Sequence, residues 1–88
     1  MTELADVQVT VRFFAAARAA AGADSDLLTL RPDATVAGAV SELSCRSAEL
    51  AHVLRRCSFL CDGVAIRDNG AKLRSGQTLD VLPPFAGG

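Results

Sequence analysis

A chain of 88 residues with a formal net charge of −1 holds one domain, and a domain of this size buries only ~60–65% of its unfolded surface. Half of the residues are apolar, which suffices for a packed core and argues against global disorder. The scattered charges give no basic face for nucleic acid, no apolar run approaches the ~20 residues that cross a bilayer, and no basic segment precedes a hydrophobic stretch; neither nucleic acid nor membrane is an expected partner, and a cytoplasmic location is expected.

The first element is Val7-Gln8-Val9-Thr10-Val11-Arg12-Phe13, whose strict alternation predicts a strand with one buried face. Ala15 to Ala21 is alanine-rich and stops at Gly22, so it reads as a short helical turn with glycine at the left-handed exit. Asp26 to Leu30 is a second strand, making a hairpin-like pair with the first, and Arg31-Pro32-Asp33-Ala34 is a turn with proline at its second position. Thr35 caps a helix whose apolar positions are Val36, Ala39, Val40 and Leu43; Gly38 inside it costs about 1 kcal/mol relative to alanine. That helix ends near Cys45. Ser47 caps a further stretch in which Leu50, Val53, Leu54 and Cys57 share a face. The pattern fits two helices or one kinked helix equally.

From Ser58 the pattern changes to short apolar pieces set off by turn dipeptides. Phe59-Leu60-Cys61, Asp62-Gly63, Val64-Ala65-Ile66 and Asn69-Gly70 read as strand and hairpin signals. After the turn at Ser75-Gly76, Thr78 to Leu82 is a last strand, which Pro83 stops because it has no N–H for a sheet ladder. Cys45, Cys57 and Cys61 are odd in number and fit neither a disulfide framework nor paired metal knuckles; reduced, mostly core thiols are expected. His52 has no acid at a catalytic spacing and is assigned to a helix surface. No nucleophile with its base, metal set or phosphate loop can be assembled, so the chain is not expected to be an enzyme by itself.

The sequence closes on Leu82-Pro83-Pro84-Phe85-Ala86-Gly87-Gly88. A glycine pair presents a carboxylate on a backbone without β-carbons, which enters a channel too narrow for any side chain and leaves recognition to main-chain hydrogen bonds. Residues 83–88 reach about 20 Å when extended, and Pro83-Pro84 stiffens the start of that reach. The Gly88 carboxyl group, ionised at neutral pH, is the expected working group, and residues 1–82 and 83–88 are expected to divide as domain and extended tail. A terminus that finishes in glycine without consequence is the competing reading.

Together, Phe13-Phe14-Ala15-Ala16-Ala17-Arg18 with Gly22, Leu73 and Gly76 before the last strand, and the Pro-Pro-x-x-Gly-Gly ending resemble the small subunits of molybdopterin synthase, ubiquitin-like sulfur carriers of the MoaD/ThiS type. The resemblance implies an α+β fold, the β-grasp: a mixed sheet of four to five strands curled around one or two helices, with the first and last strands adjacent. It further implies that an E1-like adenylyltransferase joins Gly88 to AMP from ATP. A sulfur donor protein then converts the adenylate to a thiocarboxylate, which on the same resemblance enters the large subunit of the synthase, within a heterotetramer, and gives sulfur to a cyclic pterin monophosphate. No cofactor is expected on the chain itself, ATP being used by the activating partner.

On the same resemblance, Pro83, Pro84, Phe85, Ala86 and Gly87 are tail-recognition residues. Phe14, Ile66 and Leu82, with Phe85, form an apolar docking patch, and Arg18 meets the activating enzyme. Phe14 and Leu82 as plain core residues, and Arg18 as an unremarkable surface charge, are the alternatives. Cys61-Asp62-Gly63 and Gly76-Gln77 depart from the family's usual Val-Asn-Gly and Gly-Asp, in turns that tolerate the change. Carriers for thiamin or cysteine synthesis, and ubiquitin-like protein modifiers, share the fold and the Gly-Gly.

Overall fold

The computed structural model of the protein describes residues 6–84. Strand β1 (Val7–Phe13) buries every second residue, Val7, Val9, Val11 and Phe13. The short helix α1 (Ala15–Ala21) follows, and its exit residue Gly22 has φ +74° and donates its N–H to the Arg18 carbonyl at 2.9 Å. A β-carbon is disfavoured in this left-handed conformation, which explains glycine there. Strand β2 (Ser25–Leu30) returns antiparallel to β1, from Arg12 opposite Ser25 to Val7 opposite Leu30. The hairpin-like pair thus encloses a helix. At the next turn, the Ala34 N–H reaches the Arg31 carbonyl at 2.9 Å.

Helices α2 (Val36–Ser44) and α3 (Ala48–Leu54) are separate, with Cys45–Ser47 between them. Each starts at its expected cap: the Thr35 hydroxyl accepts the Gly38 N–H at 3.2 Å, and the Ser47 hydroxyl accepts the Leu50 N–H at 3.0 Å. These bonds satisfy donors that have no intrahelical partner. Val36, Ala39 and Leu43 of α2 and Leu50 and Leu54 of α3 are buried. Cys57 lies past the end of α3, half-buried, where its thiol donates to the Val53 carbonyl at 3.3 Å.

Strands β3 (Ser58–Cys61) and β4 (Val64–Ala65) form a hairpin whose turn, Asp62-Gly63, has positive φ at both residues, 49° and 83°. That geometry matches the right-handed twist of the flanking strands. The Asn69-Gly70 dipeptide, expected as a hairpin signal, turns instead into a connection without a further strand. Its carbonyls have another use: Val36 N–H donates to Ala71 O at 3.0 Å and Ala37 N–H to Asn69 O at 2.8 Å, completing the start of α2. Strand β5 (Thr78–Leu82) then enters the middle of the sheet, whose order is β2-β1-β5-β3-β4. It runs parallel to β1 and antiparallel to β3.

The inner face of this mixed sheet, with Val9, Val11, Leu28, Phe59, Leu79 and Val81, packs on Ala17, Val36, Ala39, Leu43, Leu50 and Leu54 of the helices. This is the β-grasp expected from the resemblance, with β1 and β5 adjacent, except that three helices contribute where one or two were expected; α1 packs against α3. The expected core placement of the cysteines is corrected: Cys45 is exposed and Cys57 and Cys61 only half-buried. Cys45 follows α2 and faces water, and the other two sit at the rim where a helix ends and a strand meets its turn.

Both helix signals carry measurable stability. Thr35→Ala should lower the free energy of unfolding by about 1 kcal/mol through loss of its cap, and Gly22→Ala by about 1 kcal/mol or more through the left-handed backbone, each read as a lowered urea midpoint with unchanged slope.

Candidate functional site

Because β1 and β5 are parallel, their C-terminal ends lie side by side. Their register pairs Thr10 with Thr78, Arg12 with Asp80 and Phe13 with Val81, and the ladder continues one residue further, with the Phe14 N–H donating to the Val81 carbonyl at 3.2 Å. Ala15, with φ +49°, then turns the chain out of the sheet. A left-handed alanine costs roughly 1–2 kcal/mol; ahead of it, strand alternation sets Phe13 in the core and Phe14, 37% exposed, on the opposite face. Leu82, the last residue of β5, is half-buried in the neighbouring strand. Pro83 is buried and Pro84 exposed; Phe85, Ala86, Gly87 and Gly88 lie outside the described residues.

The outer face of the sheet is organised in rows. One crosses all five strands through Ser25, Arg12, Asp80, Leu60 and Ala65. At its centre, Arg12 Nε and Nη2 donate to the two carboxylate oxygens of Asp80 at 2.6 and 2.8 Å, a bidentate, charge-assisted contact. Asp80 is the one buried charged side chain among the described residues, at 6% exposure. Hydrogen bonding to Asp80, and then its charge, hold the Arg12 guanidinium even further above its ordinary pKa. The guanidinium carbon lies 5.5 Å from the centroid of the Phe14 ring, within cation–π range.

Of the residues expected to dock, Phe14 and Leu82 are brought to adjacent strand ends, whereas Ile66 packs against the hydrophobic core. Arg18 is exposed on α1 and pairs with Asp24 at 2.5 Å; it shares a shallow depression with Arg12, Phe14, Asp24 and Ser25. His52 is exposed on α3. Sequence reasoning did not single out Arg12 and Asp80. Both occupy polar positions of strands expected to be neighbours and carry opposite charges, but only the register sets them face to face.

Nothing among the described residues groups three or more His, Cys, Asp or Glu side chains in a metal-binding arrangement. The three thiols are free. Burial pushes the Cys57 thiol above its ordinary pKa, and burial followed by the Asp62 charge does the same to Cys61, so neither is poised as a thiolate nucleophile. What the geometry offers is a binding surface at the root of the C-terminal segment.

The ThiS family model matches residues 11–88. Among solved structures, the HVO 2177 protein of Haloferax volcanii is 28% identical with a TM-score of 0.84, over 100% of this chain and 92% of that one. The small archaeal modifier protein SAMP1 of Haloferax volcanii is 25% identical with a TM-score of 0.81, over 92% of this chain and 99% of that one. One chain of a complex of subunits 1 and 2 of molybdopterin-converting factor from Helicobacter pylori aligns at 22% identity and a TM-score of 0.68, over 93% of this chain and 100% of that one. No curated protein matches.

Two predictions test this geometry. Phe13→Ala should cost about 3–5 kcal/mol, as for a fully buried aromatic, whereas Phe14→Ala should change stability by less than about 1 kcal/mol, both read by urea denaturation. In alkylation followed by peptide mass mapping, Cys45 should react first, and Cys57 and Cys61 should react slowly at neutral pH and accelerate only at a pH above that of an ordinary thiol, because their raised pKa keeps the nucleophilic thiolate scarce.

Proposed function

The chain belongs to the ThiS family, and from that premise we propose that it is a sulfur carrier, the small subunit of a molybdopterin synthase. Gly88 is the carried group. Its carboxylate is inert to nucleophiles because it lacks a leaving group, so the E1-like partner first joins it to AMP, with release of pyrophosphate from ATP. Sulfur delivered by the donor protein attacks the acyl carbon and AMP departs, leaving a thiocarboxylate. Splitting one hard substitution into two easier ones is the logic of covalent catalysis. In the large subunit that sulfur passes to the cyclic pyranopterin monophosphate, and two such transfers build the dithiolene.

The observation that carries this reading is the position of β5. The last strand is central, ends beside Phe14, and is followed at once by the Pro-Pro-x-x-Gly-Gly segment, through which the family match extends. A tail rooted there leaves the domain next to an exposed aromatic ring, so one partner surface can hold Phe14 and Leu82 while its channel takes Pro84 to Gly88. Arg18, in the same depression as Phe14, is placed in this reading against the activating enzyme. The structural likeness to one subunit of a two-subunit molybdopterin-converting factor supports the choice of large-subunit partner. A second reading, a ubiquitin-like modifier joined through Gly88 to a lysine of a target, draws support from the likeness to a small archaeal modifier protein.

Co-expression with an activating enzyme and a sulfur source should raise the intact mass by the exchange of one oxygen for one sulfur, and deletion of Gly88 should abolish the shift. An unchanged mass would count against the carrier reading, whereas stable lysine conjugates lost on the same deletion would favour the modifier. Loss of molybdoenzyme activity on deleting the gene, without a need for thiamin or cysteine, would select the pathway.

A further inference from the structure

On the outer face of a sheet an acidic side chain ordinarily stands in water, yet Asp80 is 94% shielded. Its cover is local. Arg12 reaches across from β1 with two N–H groups and Leu60 stands opposite on β3. Carboxylate and guanidinium therefore neutralise each other at the middle of the sheet, in the row just below Phe14, Leu82 and Ser58. A buried charge is tolerated only when it is paired in this way.

The orientation of Arg12 carries the rest. One edge of the guanidinium is engaged by Asp80 and its cationic carbon lies within reach of the Phe14 ring, while the side chain as a whole stays about half exposed. A guanidinium is planar, weakly hydrated and stacks on aromatic faces, unlike the ammonium of lysine. Arg12 pinned by Asp80 thus supports Phe14 from beneath, and the exposed Leu27 lies on the same face of the sheet.

We infer that Arg12 and Asp80 are a self-neutralised positioning pair: Asp80 discharges and orients Arg12 so that Arg12 and Phe14 together form a surface that an apolar side chain of the large subunit covers. This rests on the docking reading proposed above. The charge pattern selects that kind of partner. A partner's carboxylate would gain little from an arginine whose charge Asp80 already balances, and a partner's cation would meet the half-exposed guanidinium of Arg12. Apolar cover has no such penalty so long as the pair is intact. Without the Asp80 charge, docking would have to desolvate an unpaired guanidinium, which is strongly unfavourable.

The test is binding of the purified protein to the large subunit, by calorimetry, with urea midpoints measured on the same samples. Asp80→Asn keeps the shape and removes the charge, and should weaken binding by about tenfold or more. Adding Arg12→Met to Asp80→Asn removes the stranded cation and should recover binding to within about threefold of the unaltered protein, although the double variant is no more stable than Asp80→Asn alone. A purely structural pair would show binding losses that track stability and no recovery. Unchanged affinity of Asp80→Asn, or a double variant that binds no better than the single, overturns the inference while the docking reading stands. Failure of the unaltered protein to bind the large subunit overturns both.

Discussion

The parallel pairing of β1 with β5 is the contact from which the arrangement of this protein follows. It joins the two strands furthest apart in sequence, closed by hydrogen bonds from Thr10 N–H to Gln77 O at 3.0 Å through Phe14 N–H to Val81 O at 3.2 Å. A parallel pair requires a long crossover, and here the crossover is most of the domain: α1, β2, α2, α3 and the β3–β4 hairpin all lie between its members. Had β5 run antiparallel to β1, Leu82 would end near Val7, at the far end of the sheet from Phe14. Direction alone decides which surface the C-terminal segment leaves from.

The same pairing gives the two faces of the sheet different work. Inward, Val11 opposes Leu79 and Phe13 opposes Val81, all nearly or fully buried against the helices, and this apolar layer is the main favourable term in stability. Outward, the register sets Arg12 against Asp80. Cross-strand pairs of opposite charge are individually modest, but the bidentate geometry and the burial of Asp80 make this one a fixed feature of the face. Just past this pairing the backbone is bent at Ala15, a left-handed residue that turns the chain out of the sheet after Phe13 in the core and Phe14 at the surface. An outlier of this kind is retained where the surroundings enforce it.

In the proposed carrier, the domain positions one carboxyl group and presents one surface, and ATP, sulfur and pterin are handled by partners. The free thiols fit that division: burial raises the pKa of Cys57 and Cys61 at the core's rim, Cys61 opposite Leu79 at the start of β5 and Cys57 just before Ser58, the partner of Leu82. Rim placement also explains why the expectation of core cysteines failed. Apolar spacing put Cys57 on the face of Leu50 and Leu54, but α3 ends at Leu54 and the chain has left the helical path before the thiol is reached.

Local patterns in the sequence were sufficient for β1, both helix caps, the Gly22 exit and the Asp62-Gly63 hairpin, because each is decided within a few residues by alternation, a capping hydroxyl or a residue that tolerates positive φ. The Pro-Pro-x-x-Gly-Gly segment is read from residue type alone, Phe85 to Gly88 lying outside the described residues, and its role rests on the proposed function. The role of the Asn69-Gly70 connection was not legible, because its carbonyls serve a helix that starts more than thirty residues earlier. Nor was the separation of Ile66 from Phe14 and Leu82, which follows from the side of the sheet on which Ile66 packs. The amino-acid sequence by itself thus determined most of the local elements; strand order and register, which depend on contacts between distant residues, alone decided that Arg12 meets Asp80 and that Phe14 stands beside Leu82, where Pro83 leaves β5.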